Sequence, residues 1–373
     1  MAATDQVVLE TEDWDFDPVA FANSGGCELI TRDDAFGHWK AEWNDSQINM
    51  SPESAVMDMN WRGERLTLVR ATMHNCDRVW FIVSKTIVLC EQFFQAVCSW
   101  NSSGTGAIAI FEEGYFSRDE ELREQIKEKQ LSDLVLNEDI LSKLTGGVRD
   151  FFTQKEWYGQ SSIPWKRGVI LHGPPGNGKT QTIRALVNEL NVSTIYVRSL
   201  YDRHFNSEKC LNRIYKRARE TAPSIVIMED VDSLITDRNR SYFLNELDGF
   251  RALSGVMTLV TTNHLEKLDV AISNRPSRFD VKIEFPNPSA ECRAAYLGES
   301  LCLTKLKPEF ATQVIKRTKG LSFAGLQEIV RSSIARHMKV MNLENAISQA
   351  LDEIVGERKV SPSKPKNKKK SSK

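Results

Sequence analysis

Residues 173–180 read Gly-Pro-Pro-Gly-Asn-Gly-Lys-Thr. This octapeptide constrains the fold more than any other stretch of the chain. Gly173, Gly176 and Gly178 allow a tight turn whose backbone N–H groups face inward, and such a turn suits an anion when it opens a helix. The flanks agree. Val169-Ile170-Leu171 is a short apolar run before the turn, and Thr182-Ile183-Arg184-Ala185-Leu186-Val187 has the character of a helix after it. Strand, glycine-rich loop and helix form the phosphate-binding unit of a parallel α/β sheet. Gly173, Pro174, Pro175, Gly176, Asn177, Gly178, Lys179 and Thr180 are the candidate nucleotide-binding residues. Lys179 is placed to reach the β- and γ-phosphates, and the Thr180 hydroxyl to hold Mg²⁺.

Triphosphate chemistry also needs a carboxylate for the metal and a group to orient water. Residues 225–230 read Ile-Val-Ile-Met-Glu-Asp, a buried strand closing on two acids. Acids at the carboxyl end of such a strand lie where the doubly wound fold binds its ligands. Glu229 is assigned to the Mg²⁺ and its waters, and Asp230 to the attacking water. Which acid activates the water stays open at this level. The next apolar run, Met257 to Thr262, ends in Asn263, a polar tip suited to the γ-phosphate or the water. Arg275 and Arg278 follow in Asn274-Arg275-Pro276-Ser277-Arg278-Phe279-Asp280. A pair of arginines before an edge strand suits a fork reaching a neighbour's γ-phosphate; the alternative is a local salt bridge to Asp280. His172 and His264 flank the site and read as packing residues, because phosphoryl transfer relies on positioning and charge.

Charge is unevenly spread although the net formal charge is −1. Residues 1–60 hold 13 Asp/Glu against 2 Lys/Arg, and residues 358–373 hold 8 Lys/Arg and no acid. Such ends are usually solvated. Seven cysteines, with no CxxC and no metal spacing, read as free thiols in a reducing compartment. The acidic start has neither a secretory nor a basic transit pattern. The longest apolar run, Val79 to Cys90, spans about 12 residues with Lys85 inside it, too short and too charged to cross a bilayer. The cytoplasm or nucleus is the expected compartment, with mitochondrial import by an internal signal left open.

Five segments are expected. Residues 1–60 form an acidic, partly disordered segment in which Trp14, Phe16, Trp39 and Trp43 are available to dock. Residues 61–130 form a small α+β domain, with strands at Arg65–Val69, Val79–Val83 and Ala107–Phe111 around a helical stretch from Thr86 to Trp100. Residues 131–289 form the large α/β nucleotide domain, 290–355 a helical lid, and 356–373 a basic disordered tail.

The set Gly173–Thr180, Ile225–Asp232, Thr261–Asp269 and Asn274–Asp280, with Tyr242–Phe250 between, resembles the AAA ATPases over about residues 135–350. Ile163-Pro164-Trp165-Lys166-Arg167-Gly168 before the loop, and Glu-Asp in place of Asp-Glu, look most like the Bcs-type branch, which includes a mitochondrial chaperone of the Rieske protein and many soluble relatives. The resemblance implies a large α/β domain, a helical lid and an oligomeric ring, often hexameric, with ATP between subunits. It implies Walker A roles for Lys179 and Thr180, Walker B roles for Glu229 and Asp230, a sensor role for Asn263 and arginine-finger roles for Arg275 and Arg278. Hydrolysis would move the lid and remodel a protein client.

Three departures limit this. No transmembrane helix is expected ahead of the N-terminal domain. The loop Leu200 to Asn206 has no glycine after Tyr201 or Phe205, so a threading grip is not expected. The lid segment Gly320 to Leu326 carries no arginine. An ATP- and Mg²⁺-dependent remodelling ATPase is therefore the expected function. A nucleotide-binding scaffold with little hydrolysis, and a nucleic-acid-linked ATPase resting on the Lys-rich tail alone, are the alternatives.

Overall fold

A computed structural model describes residues 6–11, 16–30, 37–44, 47–72, 78–102, 108–112, 114–118, 120–161, 163–201, 206–248, 253–268, 278–301, 306–340 and 342–360. Trp14, Arg275, residues 202–205 of the loop after Tyr201, and residues 361–373 of the basic tail lie outside this set. The chain divides into two compact units, residues 1–120 with 191–226, and residues 121–190 with 227–373.

The first unit holds a six-stranded sheet. Its strands are β1 (Val7–Thr11), β2 (Glu28–Ile30), β3 (Gly37–Asn44), β4 (Gln47–Trp61), β5 (Glu64–Thr72) and β6 (Arg78–Ser84), in the order β1-β6-β5-β4-β2 with β3 also on β4. The pairings β1–β6, β2–β4, β3–β4, β4–β5 and β5–β6 are all antiparallel. Alternation along β4 explains the buried face: Ala55, Met57, Met59 and Trp61 are buried with Leu66, Leu68, Trp80 and Ile82. The helix Ile87–Ser102 covers that face with Cys90, Phe93 and Val97, and Phe16 and Phe21 complete the cluster. Four strands thus come wholly or mainly from the acidic first 61 residues, and the expected boundary at residue 60 falls inside β4. Charge hid the pattern there: Glu10 and Glu28 are exposed, and Asp58 alternates with the buried Met57 and Met59 while being buried itself.

The same unit holds β7 (Ile108–Glu112), β8 (Tyr115–Arg118) and β10 (Ser193–Val197). β7 pairs with β8 antiparallel and with β10 in parallel, Thr194 opposite Ile108 and Val197 opposite Phe111. The run Ile108-Ala109-Ile110-Phe111 is apolar throughout, as a strand covered on both faces requires.

In the second unit β9 (Lys166–His172) lies between β12 (Val256–Thr262) and β13 (Val281–Glu284), parallel to both. β11 (Ser224–Met228), whose last two residues belong to this unit, follows β12, giving the order β13-β9-β12-β11. Val169, Ile170 and Leu171 are fully buried, and every residue of β11 and β12 is buried. The helix Lys179–Leu190 buries Thr182, Ile183, Ala185, Leu186 and Val187. Beyond β13 come helices Ala290–Ser300, Pro308–Arg317, Phe323–Val340 and Leu343–Val360. Leu297, Leu301, Val314, Leu321, Leu326, Ile329, Ile347, Ala350 and Leu351 form their own core. Parallel α/β sheet, helical lid and antiparallel sheet with a helix are the expected architecture, an α/β P-loop fold.

Candidate functional site

β9 ends at His172, and the chain turns through Gly173 to Gly178 before the helix begins at Lys179. Gly173, Gly176 and Gly178 have φ of 138°, 76° and 88°, the region open to glycine. At Gly173 space is also closed, since a Cβ would stand 2.3 Å from the Phe285 carbonyl oxygen.

Lys179 is only 7% exposed. Its Nζ donates to the carbonyl oxygens of Gly173 at 2.7 Å and Pro174 at 3.0 Å, and to Asn263 Oδ1 at 2.7 Å. Burial pushes its ammonium below the ordinary lysine value, while the charges of Asp230 and Glu229 work the other way. Asn263 is held from both ends, because its Nδ2 donates to Asp230 Oδ1 at 3.0 Å. Asp230 itself has φ 46° and ψ 52°, a left-handed conformation that aspartate tolerates better than most side chains. Its N–H donates to Thr261 Oγ1 at 3.0 Å, which fixes that turn at the end of β11. The Thr180 hydroxyl donates to Glu229 Oε1.

Lys179, Thr180, Glu229, Asp230 and Asn263 therefore meet at the ends of β9, β11 and β12. The two acids divide: Glu229 faces the Thr180 hydroxyl, and Asp230 faces the Asn263 amide. A hydroxyl beside a carboxylate is a hard oxygen pair, the donor type Mg²⁺ takes when waters and phosphate oxygens complete its shell. Among the described residues no cluster of three or more His, Cys, Asp or Glu forms a metal cage. The donor set thus fits a metal carried with phosphates.

Arg278 lies elsewhere. β13 pairs Val281 with Val169, and Arg278, three residues before β13, lies beside Gly168, whose added Cβ would stand 1.8 Å from the Arg278 carbonyl oxygen. The five steps along the chain from Gly168 to Gly173 span roughly 16 Å of extended strand. Arg278 Nε pairs with Asp248 Oδ2 at 2.6 Å, and Lys166 Nζ reaches Asp248 Oδ1 at 3.1 Å. Burial works to raise the Asp248 carboxyl, but the bonds from Lys166 and Arg278 outweigh it and hold it below the ordinary range. Asp280 pairs with Arg167 at 3.1 Å. Lys166 and Asp248 each lie in a stretch that carries the resemblance, but their pairing was not legible in the sequence, since Asp248 lies 30 residues from Arg278 and 82 from Lys166. Asp232 accepts from the Thr262 hydroxyl at 2.8 Å, a tie between β12 and the turn after β11.

His172 adjoins the loop. Burial lowers its pKa from 6.5, the Lys179 and Lys282 charges lower it further, and Glu284 opposes them. A folded pKa below the unfolded one gives stability that is present above about pH 6.5 and lost as pH falls through the folded value. Acid unfolding in that window is expected to take up about one proton fewer in His172→Gln than in the parent. Identical uptake in the two proteins, measured by potentiometric titration across the transition, counts against the assignment.

Residues 169–287 match the family described as "ATPase family associated with various cellular activities (AAA)". Among curated proteins the chain is similar to the "Probable mitochondrial chaperone bcs1" of Schizosaccharomyces pombe, 36% identical over 175 residues, covering 44% of this chain and 38% of that protein. It is similar to the "Proteasome-activating nucleotidase" of Aeropyrum pernix, 34% identical over 202 residues, covering 48% and 49%. The "Mitochondrial chaperone BCS1" of Bos taurus is 30% identical over 223 residues, covering 54% and 51%. The chain thus spans two fifths to one half of the length of these relatives. Among the described residues no helix is long and apolar enough to cross a membrane.

Proposed function

We propose, from the match of residues 169–287 to the AAA ATPase family, that the chain binds and hydrolyses ATP with Mg²⁺ to remodel a protein client as part of an oligomeric ring. The observation that carries this is the convergence of Lys179, Asn263 and Asp230 in one hydrogen-bonded line, with Thr180 against Glu229 beside it.

The loop backbone cradles the phosphates, and Lys179 turns from the Gly173 and Pro174 carbonyls to the β- and γ-phosphate oxygens. Thr180 and Glu229 would hold Mg²⁺. When bound, the ion neutralises charge on the β- and γ-oxygens. Asp230 accepts a hydrogen bond from the attacking water and polarises it. Asn263 keeps that carboxylate and the Lys179 ammonium in register. Arg278, with Arg275, serves the γ-phosphate bound by a neighbouring copy, since roughly 16 Å of strand separates Arg278 from its own loop. The helices beyond residue 290 are the part that moves against the sheet. The compartment proposed from the sequence, cytoplasm or nucleus, stands beside relatives whose names place them in mitochondria.

Phosphate release per subunit, followed over a wide range of protein concentration with Mg²⁺ and with a chelator, tests the proposal. A Mg²⁺-dependent rate that rises with concentration is expected, because a site completed by a neighbour needs assembly. Tight ATP binding with no release at any concentration would replace the proposal with the scaffold reading.

A further inference from the structure

The phosphate loop has a second partner. The helix Phe323–Val340 starts with backbone N–H groups that have no acceptor inside the helix. Ser322 serves one of these donors, its Oγ accepting from Gly325 N at 3.4 Å, while its carbonyl accepts the first ordinary helical bond, from Leu326 N at 3.0 Å. The other two go to the loop. Ala324 N donates to the Gly176 carbonyl at 2.9 Å, and Phe323 N donates to Asn177 Oδ1 at 3.3 Å. The approach is close, since a Cβ on Gly176 would stand 2.6 Å from Ala324 Cβ. The loop is therefore the N-terminal cap of this helix.

Asn177 is 2% exposed, and its side chain bonds to residues outside the loop. Its Nδ2 donates to the Phe285 carbonyl at 3.4 Å and to Asn287 Oδ1 at 3.0 Å. Asn287 Nδ2 in turn donates to the Gly320 carbonyl at 3.2 Å. One side chain thus ties the loop to the end of β13 and to the turn that opens the helix.

The Gly176 carbonyl and the Asn177 N–H belong to one peptide unit. In a planar trans peptide they point in opposite directions. With the carbonyl turned to Ala324, the N–H is turned to the other side of the loop, where phosphate-loop N–H groups meet their anion. An anion drawing on that N–H fixes the peptide plane and polarises it, which makes the carbonyl a stronger acceptor.

We propose that Asn177 and the Gly176–Asn177 peptide transmit nucleotide occupancy to the helical lid, the peptide facing the phosphate on one side and capping the helix Phe323–Val340 on the other. This rests on the reading of the loop as a nucleotide site, and it assigns Asn177 to positioning the lid. It supplies a direct tie where Gly320 to Leu326 offers no arginine to the phosphates.

Amide hydrogen exchange over residues 321–326, with nucleotide occupancy titrated in the same sample, tests it. Saturating Mg·ADP is expected to slow exchange there about tenfold in the parent chain, the worth of one net hydrogen bond. Asn177→Ala, compared at matched occupancy, loses that slowing, and Asn287→Ala, which lies outside the loop, loses part of it. Full slowing retained in both variants overturns the proposal. Where Asn177→Ala does not fold, Asn287→Ala decides by the same readout. A parent chain that binds Mg·ADP without slowed exchange removes this inference alone. A parent chain that binds none removes the nucleotide-site reading as well.

Discussion

Lys179→Ala is expected to lower ATP turnover about 10²–10³-fold, the range for removing one donor aimed at developing charge. The size follows from where the ammonium sits. It is buried, and it already has three oxygen acceptors within 3.0 Å in the chain alone. Those acceptors hold it at the loop, and presenting it to a phosphate exchanges the Gly173 and Pro174 carbonyls for phosphate oxygens. The melting temperature should move far less than the rate. Removing an ammonium whose burial is itself costly offsets the hydrogen bonds lost. A variant that folds, binds ATP and turns it over at the parental rate would remove Lys179 from the chemistry. A variant that loses turnover only in proportion to a collapsed fold would make the residue structural.

Arg278→Ala is expected to lower turnover further, about 10³–10⁵-fold, the range of an arginine supplied to a transferring phosphoryl group. ATP binding by the same chain should persist, because Arg278 stands at the far end of β9 from the loop. The substitution also removes the pair with Asp248, whose carboxylate keeps Lys166, so the stability loss should stay within about 1–3 kcal/mol. Mixing separates the two effects. Arg278→Ala chains keep an intact phosphate loop, and Lys179→Ala chains keep an intact Arg278. Together they should regain activity that neither has alone. Mixtures that stay inactive while both variants remain folded and assembled would confine Arg278 to its ion pair with Asp248.

The sequence made the centre of the site readable because its residues lie at the ends of short apolar strands. Val169–Leu171, Ile225–Met228 and Met257–Thr262 each announce a buried strand; the last two are followed directly by their polar groups, and the first by the glycine loop that ends in Lys179 and Thr180. What surrounds those groups was not readable. Asn177 meets Phe323 across 146 residues, and Arg278 meets Asp248 across 30. Neither spacing has a period or a motif, since both arise from tertiary closure of the chain. The alternative partner weighed for Arg278, Asp280, was the nearest acid in sequence, but it pairs with Arg167 on the adjacent strand. The antiparallel sheet was half readable. Arg65–Val69 alternates and Val79–Val83 is a compact apolar run, whereas in β4 the alternation Ala55, Met57, Met59, Trp61 runs through Asp58. That acid is itself fully buried, held by Arg65 and by the Thr67 hydroxyl at 2.6 Å. A buried, paired carboxylate imitates a solvent-facing residue when only the sequence is in view.

β7 and β10 set an order of events on the ribosome. The strands from β4 to β6 each find a partner among near neighbours in sequence, so that sheet begins to close as it emerges. β7 finds β8 at once, but its parallel partner β10 follows about eighty residues later. At ordinary rates of synthesis that is an interval of about 4–16 seconds. Throughout it, an apolar strand has one edge unpaired, the kind of surface that recruits strands from other chains. A nascent chain stalled between β8 and β10 should therefore be the form that most needs a chaperone.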